Sequence, residues 1–266
     1  MRKMNTAEML DYLVEAFKRD SVRYADIDTP RDTEGKRRLL RSLMNLRMPA
    51  PLDEKTLAVQ DEYLRERLLE RGVVKLSSIP ANAEGISVWQ GDITRLECGA
   101  IVNAANSQML GCFVPMHACI DNCIHTYAGV QLRAECHRQM TALKAKYGPD
   151  YEQPTAVPML TGGYNLPAAR VIHIVGPIVG GSLTARHERE LADCYKNVLD
   201  TCAQNGIESV AFCCISTGVF RFPNGRAAQI AVGTVRSWLA ENPGRVRRIV
   251  FNVFKDEDRM LYEGLI

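Results

Sequence analysis

The sequence leans to neither sign of charge: Lys and Arg number 33 against 31 Asp and Glu, for a formal net charge of +2. A dedicated nucleic-acid binder carries a larger basic excess or a clustered basic face. The basic runs, Lys36-Arg37-Arg38 and Arg245-Val246-Arg247-Arg248, are short and read as solvated faces. The balance suits an anionic small molecule better than a polymer. Also absent is any apolar stretch near the ~20 residues that span a bilayer. The N-terminus, Met-Arg-Lys-Met-Asn, opens a polar amphipathic helix and not an apolar signal core. The expectation is a cytoplasmic protein with neither a nucleic acid nor a membrane as partner. No internal repeat or low-complexity tract is visible. A disulfide framework is excluded although nine cysteines are present, because the count is odd and no export signal accompanies it.

What is there is enough apolar sequence, 46% of 266 residues, for a full core. The first 75 or so residues look helical. Met9, Leu10, Leu13, Val14 and Phe17 recur at helical spacing after Thr6, a suitable N-cap. A second helix is expected over Thr33 to Met48 behind Asp32, and a third over Asp53 to Arg71. From residue 85 the pattern alternates. Apolar, β-branched runs occur at Ile86–Trp89, Ala100–Val102, Ala156–Leu160, Val171–Val175, Ser209–Ile215 and Ile249–Phe254. Helical stretches are expected at about 119–146, 185–204, 225–241 and 257–265. This predicts a three-layer α/β sandwich. The rule that ligands sit beyond the carboxyl ends of the strands selects the loops after Val102, Leu160 and Ile215.

Three blocks stand in or near such loops. Gly91-Asp92-Ile93-Thr94 follows a strand; Asp92 could cap the next turn or accept from an exocyclic amine of a base. Asn103-Ala104-Ala105-Asn106 leaves the next strand, with small residues where a ligand must approach and amides that suit ribose hydroxyls. Ser216-Thr217-Gly218-Val219-Phe220 precedes a helix, and such a loop can turn backbone N–H groups toward a diphosphate. Phe220 could then cover a ribose or exclude water.

In this order the blocks resemble the macrodomain family of ADP-ribose binders and hydrolases over roughly residues 80–266. The resemblance implies a three-layer α/β/α macrodomain with a mixed central sheet over 79–266, preceded by an N-terminal helical extension over 1–78. It implies Asp92 and Ile93 at the adenine end, Asn103 and Asn106 near the distal ribose, and Ser216, Thr217, Gly218, Val219 and Phe220 around the diphosphate. Where many members carry a glycine-rich loop, this chain reads Gly111-Cys112-Phe113-Val114-Pro115-Met116-His117-Ala118-Cys119. Two thiolates and an imidazole in the pattern C-x4-H-x-C suit one zinc ion, and three protein ligands leave a fourth position open. The segment resembles the zinc-dependent macrodomain hydrolases associated with sirtuin-like ADP-ribosyltransferases, as does the helical extension.

Cys123, four residues from Cys119 on a helix, is the reserve ligand. His137 is expected to be exposed, and neither His173 nor His187 has a partner in sequence. The expected activity is zinc-dependent hydrolysis of mono-ADP-ribose from a modified protein side chain, with Asn106, Cys112, His117 and Cys119 as the catalytic set. Resemblance to the subfamily implies an ester on an acidic residue and, as partner, a lipoyl-carrier protein. Two alternatives stand beside it: a non-catalytic ADP-ribose reader and an O-acetyl-ADP-ribose deacetylase.

Overall fold

The structure, a computed structural model, describes residues 4–266; Met1–Lys3, in the stretch read as the opening of a polar helix, lie outside the described residues. The N-terminal apolar spacing produces helices α1 (Thr6–Arg19), α2 (Thr33–Leu46) and α3 (Glu54–Arg71). Asn5, not Thr6, caps α1: its Oδ1 accepts from Glu8 N–H at 3.0 Å while Glu8 Oε2 accepts from Asn5 N–H at 2.9 Å. That reciprocal pair closes two otherwise orphaned amides. Asp32 and Asp53 cap α2 and α3 by accepting from Gly35 and Thr56 N–H. Helix α2 stops at Leu46, short of the expected Met48, because Pro49 disfavours helical backbone at the residue before it. The α1 stripe packs against Leu40, Leu43, Met44, Tyr63 and Leu64 in a core of its own.

Beyond it come β1 (Val74–Lys75), β2 (Ile86–Gln90), β3 (Leu96–Glu97), β4 (Ala100–Ala104), α4 (Ile120–Ala128), α5 (Val130–Tyr147), β5 (Met159–Gly162) and β6 (Arg170–Ile174). They are followed by α6 (Ala185–Gln204), β7 (Ser209–Phe212), α7 (Asn224–Glu241), β8 (Arg248–Val253) and α8 (Asp256–Glu263). Six strands form one sheet in the order β2-β8-β7-β4-β6-β5, parallel throughout except for the β5–β6 pair. Separately, β1 pairs with β3, so residues 74–75, read as extension, hydrogen-bond to a strand past the boundary read between 78 and 79.

Side chains of the strands alternate between two cores, as a period of two requires. Val102, Ile172, Val210 and Ile249 face one, covered by α6, α7 and α8; Ile101, Val171, Ala211 and Val250 face the other, covered by α4 and α5. Both faces are dry, which is why the strands read as continuous apolar runs. The result is the three-layer α/β/α sandwich with a mixed sheet.

Two further expectations change. The helix expected over 119–146 is two, broken at Gly129, whose φ of +94° and missing Cβ let the Gln60 amide approach; a Cβ there would lie 2.7 Å from Gln60 Nε2. The loop after Leu160 does not join the other two. Strand β5 runs antiparallel, so its carboxyl end sits at the opposite edge of the sheet. Among the described residues, no helix is long and apolar enough to cross a membrane.

Candidate functional site

Strands β2, β8, β7 and β4 are neighbours and parallel, so the segments leaving their carboxyl ends meet along one edge. Asp92 follows β2, Asn106 and the Cys112–Cys119 loop follow β4, and Ser216–Phe220 follow β7.

The three residues of the C-x4-H-x-C pattern converge. The ligand atoms of Cys112, His117 and Cys119 all lie within 4.8 Å of one another, and Cys112 Sγ is 3.5 Å from His117 Nδ1. Zn–S and Zn–N bonds of about 2.3 and 2.0–2.1 Å at tetrahedral angles put such a pair roughly 3.6 Å apart. The donor set and its spacing therefore fit zinc. Cys119 caps α4, its Sγ accepting from Asn122 N–H at 3.4 Å. Burial pushes its thiol up to about 12. Cys123 does not join this group; the Arg41 guanidinium reaches its Sγ at 3.6 Å.

The loop holds backbone that a side chain disfavours. Met109 and Met116 have φ of +58° and +59°, and Gly111 has +80°. Such conformations cost about 1–3 kcal/mol for non-glycine residues and persist where the surroundings over-determine them. Here they do. Asn122 Nδ2 donates to the Cys112 and Val114 carbonyls at 3.3 and 3.0 Å. Asn45 Oδ1, from α2, accepts from Met116 N–H at 3.1 Å, and Arg41 Nη2 donates to the His117 carbonyl at 2.9 Å. Asn106 closes the entry to the loop, its Nδ2 donating to Gly111 O at 3.3 Å and its Oδ1 accepting from Gln108 N–H at 3.0 Å. That leaves one amide N–H and one lone pair without a partner among the described residues.

Asn103 is placed elsewhere than the sequence reading put it. It is fully buried, and its Nδ2 contacts Asp121 Oδ1 at 2.8 Å and His173 Nδ1 at 3.0 Å. It belongs to a polar layer beneath the loop with Asp121, His125, Cys136, Thr161 and His173. Burial drives the His173 pKa down to about 3 and that of His125 well below its ordinary value, so both rings are neutral. Burial raises Asp121 to about 6. His125, Cys136 and His173 also bring ligand atoms within 4.8 Å of one another. The His173 ring, however, is already committed to Asn103 and, through Nε2, to Thr161 Oγ1 at 3.0 Å. His137 is exposed, and His187 caps α6 with Thr184.

At the other end Asp92 does the local work of a cap, Oδ1 accepting from Thr94 N–H at 3.0 Å and Oγ1–H at 2.6 Å. Its Oδ2 faces Arg71 Nη1 at 3.6 Å. Arg71 lies 3.5 Å over the Tyr127 ring. The Ile93 side chain is buried in the core under α4, so only its backbone can meet a ligand.

The Ser216–Phe220 loop is built differently. Ser216 has φ of +65°, and its Oγ is buried without a partner among the described residues. Gly176 passes beneath it; a Cβ there would fall 2.1 Å from Ser216 Oγ. Thr217 turns back to the Cys214 carbonyl at 3.1 Å, Val219 is exposed, and Phe220 packs on the α4 side of the core. Among the described residues, none accepts from the backbone N–H groups of Gly218, Val219 and Phe220.

Sequence reasoning missed Arg41, Asn45, Arg71 and Arg133. Arg41 and Asn45 carry the one usable signal: polar residues at i and i+4 beside the apolar Leu40, Leu43 and Met44 of α2, one of them wholly buried.

Residues 102–231 match the Macro domain family model. A relative from Treponema medium named protein-ADP-ribose hydrolase is 46% identical, covering 99% of this chain and 100% of its own length. One of the same name from Staphylococcus aureus is 42% identical over 98% of this chain and 96% of its own. These alignments run through the N-terminal helices, ahead of the family model's start. Among solved structures, a Trypanosoma brucei macrodomain in complex with ADP-ribose is similar with a TM-score of 0.63 at 30% identity, covering 84% of this chain and 94% of that one.

Proposed function

The chain belongs to the macrodomain family, and from that premise we propose that it removes mono-ADP-ribose from modified protein side chains, using a zinc ion held by Cys112, His117 and Cys119. The observation that carries this reading is the convergence of those three ligand atoms within 4.8 Å in the loop leaving β4, beside Asn106. The names of the full-length relatives support the reaction class. Subfamily resemblance extends the proposal to an ester on an acidic side chain, with a lipoyl-carrier protein as substrate.

The protein's own groups divide the substrate between them. Asp92 Oδ2 takes the exocyclic amine of adenine. The N–H groups of Gly218, Val219 and Phe220 take the diphosphate oxygens, and Phe220 shields the adjoining ribose from water. Asn106 fixes the distal ribose with the donor and lone pair its own loop leaves free. Held at these points, the scissile bond is fixed over the Cys112–Cys119 loop, which converts an encounter into a positioned reaction. Bound there, zinc would supply a Lewis acid for an oxygen of the distal ribose or the linkage, or would make a water more acidic.

The test pairs metal analysis with release of ADP-ribose from a modified protein, for the native chain, Cys112→Ala and His117→Ala. Both variants should lose hydrolysis by more than the roughly 100-fold seen when a ligand's supporting partner is removed, while still binding ADP-ribose. Full activity of metal-free native protein would overturn the zinc assignment. Tight ADP-ribose binding without turnover on any linkage would make the protein a reader.

A further inference from the structure

The ligand-bearing loop is not held by the macrodomain alone. Its outer side rests on α2, a helix of the extension, through two side chains one turn apart. Asn45 is 1% exposed and uses both ends of its amide: Oδ1 accepts from Met116 N–H at 3.1 Å, and Nδ2 donates to Thr126 Oγ1 at 2.9 Å. Thr126 in turn donates to the Asn122 carbonyl at 2.8 Å. Arg41 Nη2 reaches both the His117 carbonyl and Asn122 Oδ1 at 2.9 Å. Asn122 then ties the Cys112 and Val114 carbonyls and caps against Cys119 Sγ. These bonds form a closed circuit. Each of the three ligand residues is tied into it, Cys112 and His117 through carbonyls and Cys119 through its sulfur.

We infer that Arg41 and Asn45 are positioning residues for the metal, and that the N-terminal extension is a component of the metal site. Met116 sits at φ +59°, next to the ligand His117. Its N–H is held by Asn45 alone among the described residues. Without that acceptor the turn loses the bond that offsets its backbone cost, and His117 is free to swing away from the two sulfurs. Arg41 fixes the other face of the same peptide run. Both side chains act on the metal only through the residues they hold.

This inference rests on the zinc reading, and the experiment separates the two. Zinc affinity is measured on the full chain by competition with a chromophoric chelator. Cobalt(II) is then loaded in its place, and the intensity of its visible bands reports how tetrahedral the ligand set is. The variants are Asn45→Ala, Asn45→Asp, Arg41→Met, Arg41→Lys and, as a control that loosens the extension's own core away from the loop, Val14→Ala. Asn45→Ala and Arg41→Met should weaken zinc binding roughly 10–100-fold and reduce the cobalt bands. Asn45→Asp, which keeps the acceptor for Met116 N–H, should bind zinc more tightly than Asn45→Ala, and Arg41→Lys more tightly than Arg41→Met. Val14→Ala should lower the thermal midpoint and leave zinc affinity within about threefold of native, a spread far below that expected for a lost support. Native affinity and unchanged cobalt bands in both Asn45→Ala and Arg41→Met would overturn the inference and leave the zinc reading intact. So would a loss in Val14→Ala as large as in Asn45→Ala. A native chain that binds neither metal would overturn the zinc reading itself.

Discussion

Two loops leave neighbouring strands at the same edge of the sheet and are held in opposite ways. The Leu110–Cys119 loop after β4 is tied from both sides, by Asn122 and Arg133 from the macrodomain and by Arg41 and Asn45 from the extension. The Ser216–Arg221 loop after β7 turns mostly on its own backbone, with Phe222 N–H returning to Ser216 O and Arg221 N–H to Gly218 O, and among the described residues nothing pairs with its 218–220 N–H groups or the Ser216 hydroxyl. Both carry non-glycine residues at positive φ, so backbone cost does not distinguish them. What differs is where the polar groups are satisfied. On the proposed function, the loop that presents side-chain ligands at fixed spacing has its backbone groups held by the protein, and the loop that presents backbone N–H groups to an anion leaves them free.

The contrast breaks most sharply at Arg133. From α5 its Nε donates to Leu110 O at 2.8 Å, at the head of the Leu110–Cys119 loop, and its Nη1 donates to the carbonyls of Met44, Asn45 and Arg47 at the end of α2. The guanidinium also lies 4.3 Å over the Phe113 ring. One side chain thus serves the extension and the Leu110–Cys119 loop together. Arg133→Met keeps the stem and strands these carbonyls, so unfolding in urea should show a loss of about 3–5 kcal/mol, with zinc affinity falling alongside. A loss below about 1 kcal/mol would mean that the extension is docked by other means.

A smaller effect is expected from the polar layer beneath the Cys112–Cys119 loop. His173 is neutral when folded, with a pKa near 3, against 6.5 when unfolded. Between those values the unfolded chain binds the extra proton, so stability is fully present above pH 6.5 and falls as pH drops toward 3. At pH 4 this amounts to at most about 3 kcal/mol. Asp121, raised to about 6, works in the opposite sense below that pH, so the native slope alone does not isolate the ring. The difference in unfolding free energy between native and His173→Gln does. It should narrow or change sign from pH 7 to pH 4, whereas a pH-independent difference would mean that the ring is protonated without cost in the folded protein.

How much of this was written in the sequence divides along the same line. Met9, Leu10, Leu13, Val14 and Phe17 announce a buried helical face because periodicity is local, and they are buried. The parallel strands were visible as apolar runs because both faces of the sheet are dry. The direction of β5 was not, since an apolar run carries no sign of which way it points. The C-x4-H-x-C pattern is compact and could be seen within eight residues, Cys112 to Cys119. Its supports could not: Asn45 meets Met116 from 71 positions away, and Arg41 meets His117 from 76. Asn103 misled for a related reason. It lies within β4, where alternation turns its side chain inward to His173, while Asn106, three residues on, has left the strand.

The smallest effect tests the other loop. Ser216 combines φ of +65° with a buried hydroxyl that has no partner among the described residues. Ser216→Gly removes both costs, so the free protein should gain about 1 kcal/mol in urea unfolding, the scale of a relieved left-handed backbone or a deleted unpaired hydroxyl. If the loop is shaped for an anion, that gain comes with a loss. Glycine lets the chain relax away from the conformation that aims the 218–220 N–H groups, and ADP-ribose affinity, measured by calorimetry, should fall several-fold while zinc affinity stays at the native value. Opposite movement of stability and ligand affinity is the mark of strain kept for binding. A variant that gains stability and binds ADP-ribose as tightly as native would show that the strain at Ser216 serves only the close pass over Gly176. The two loops would then differ in tethering but not in purpose.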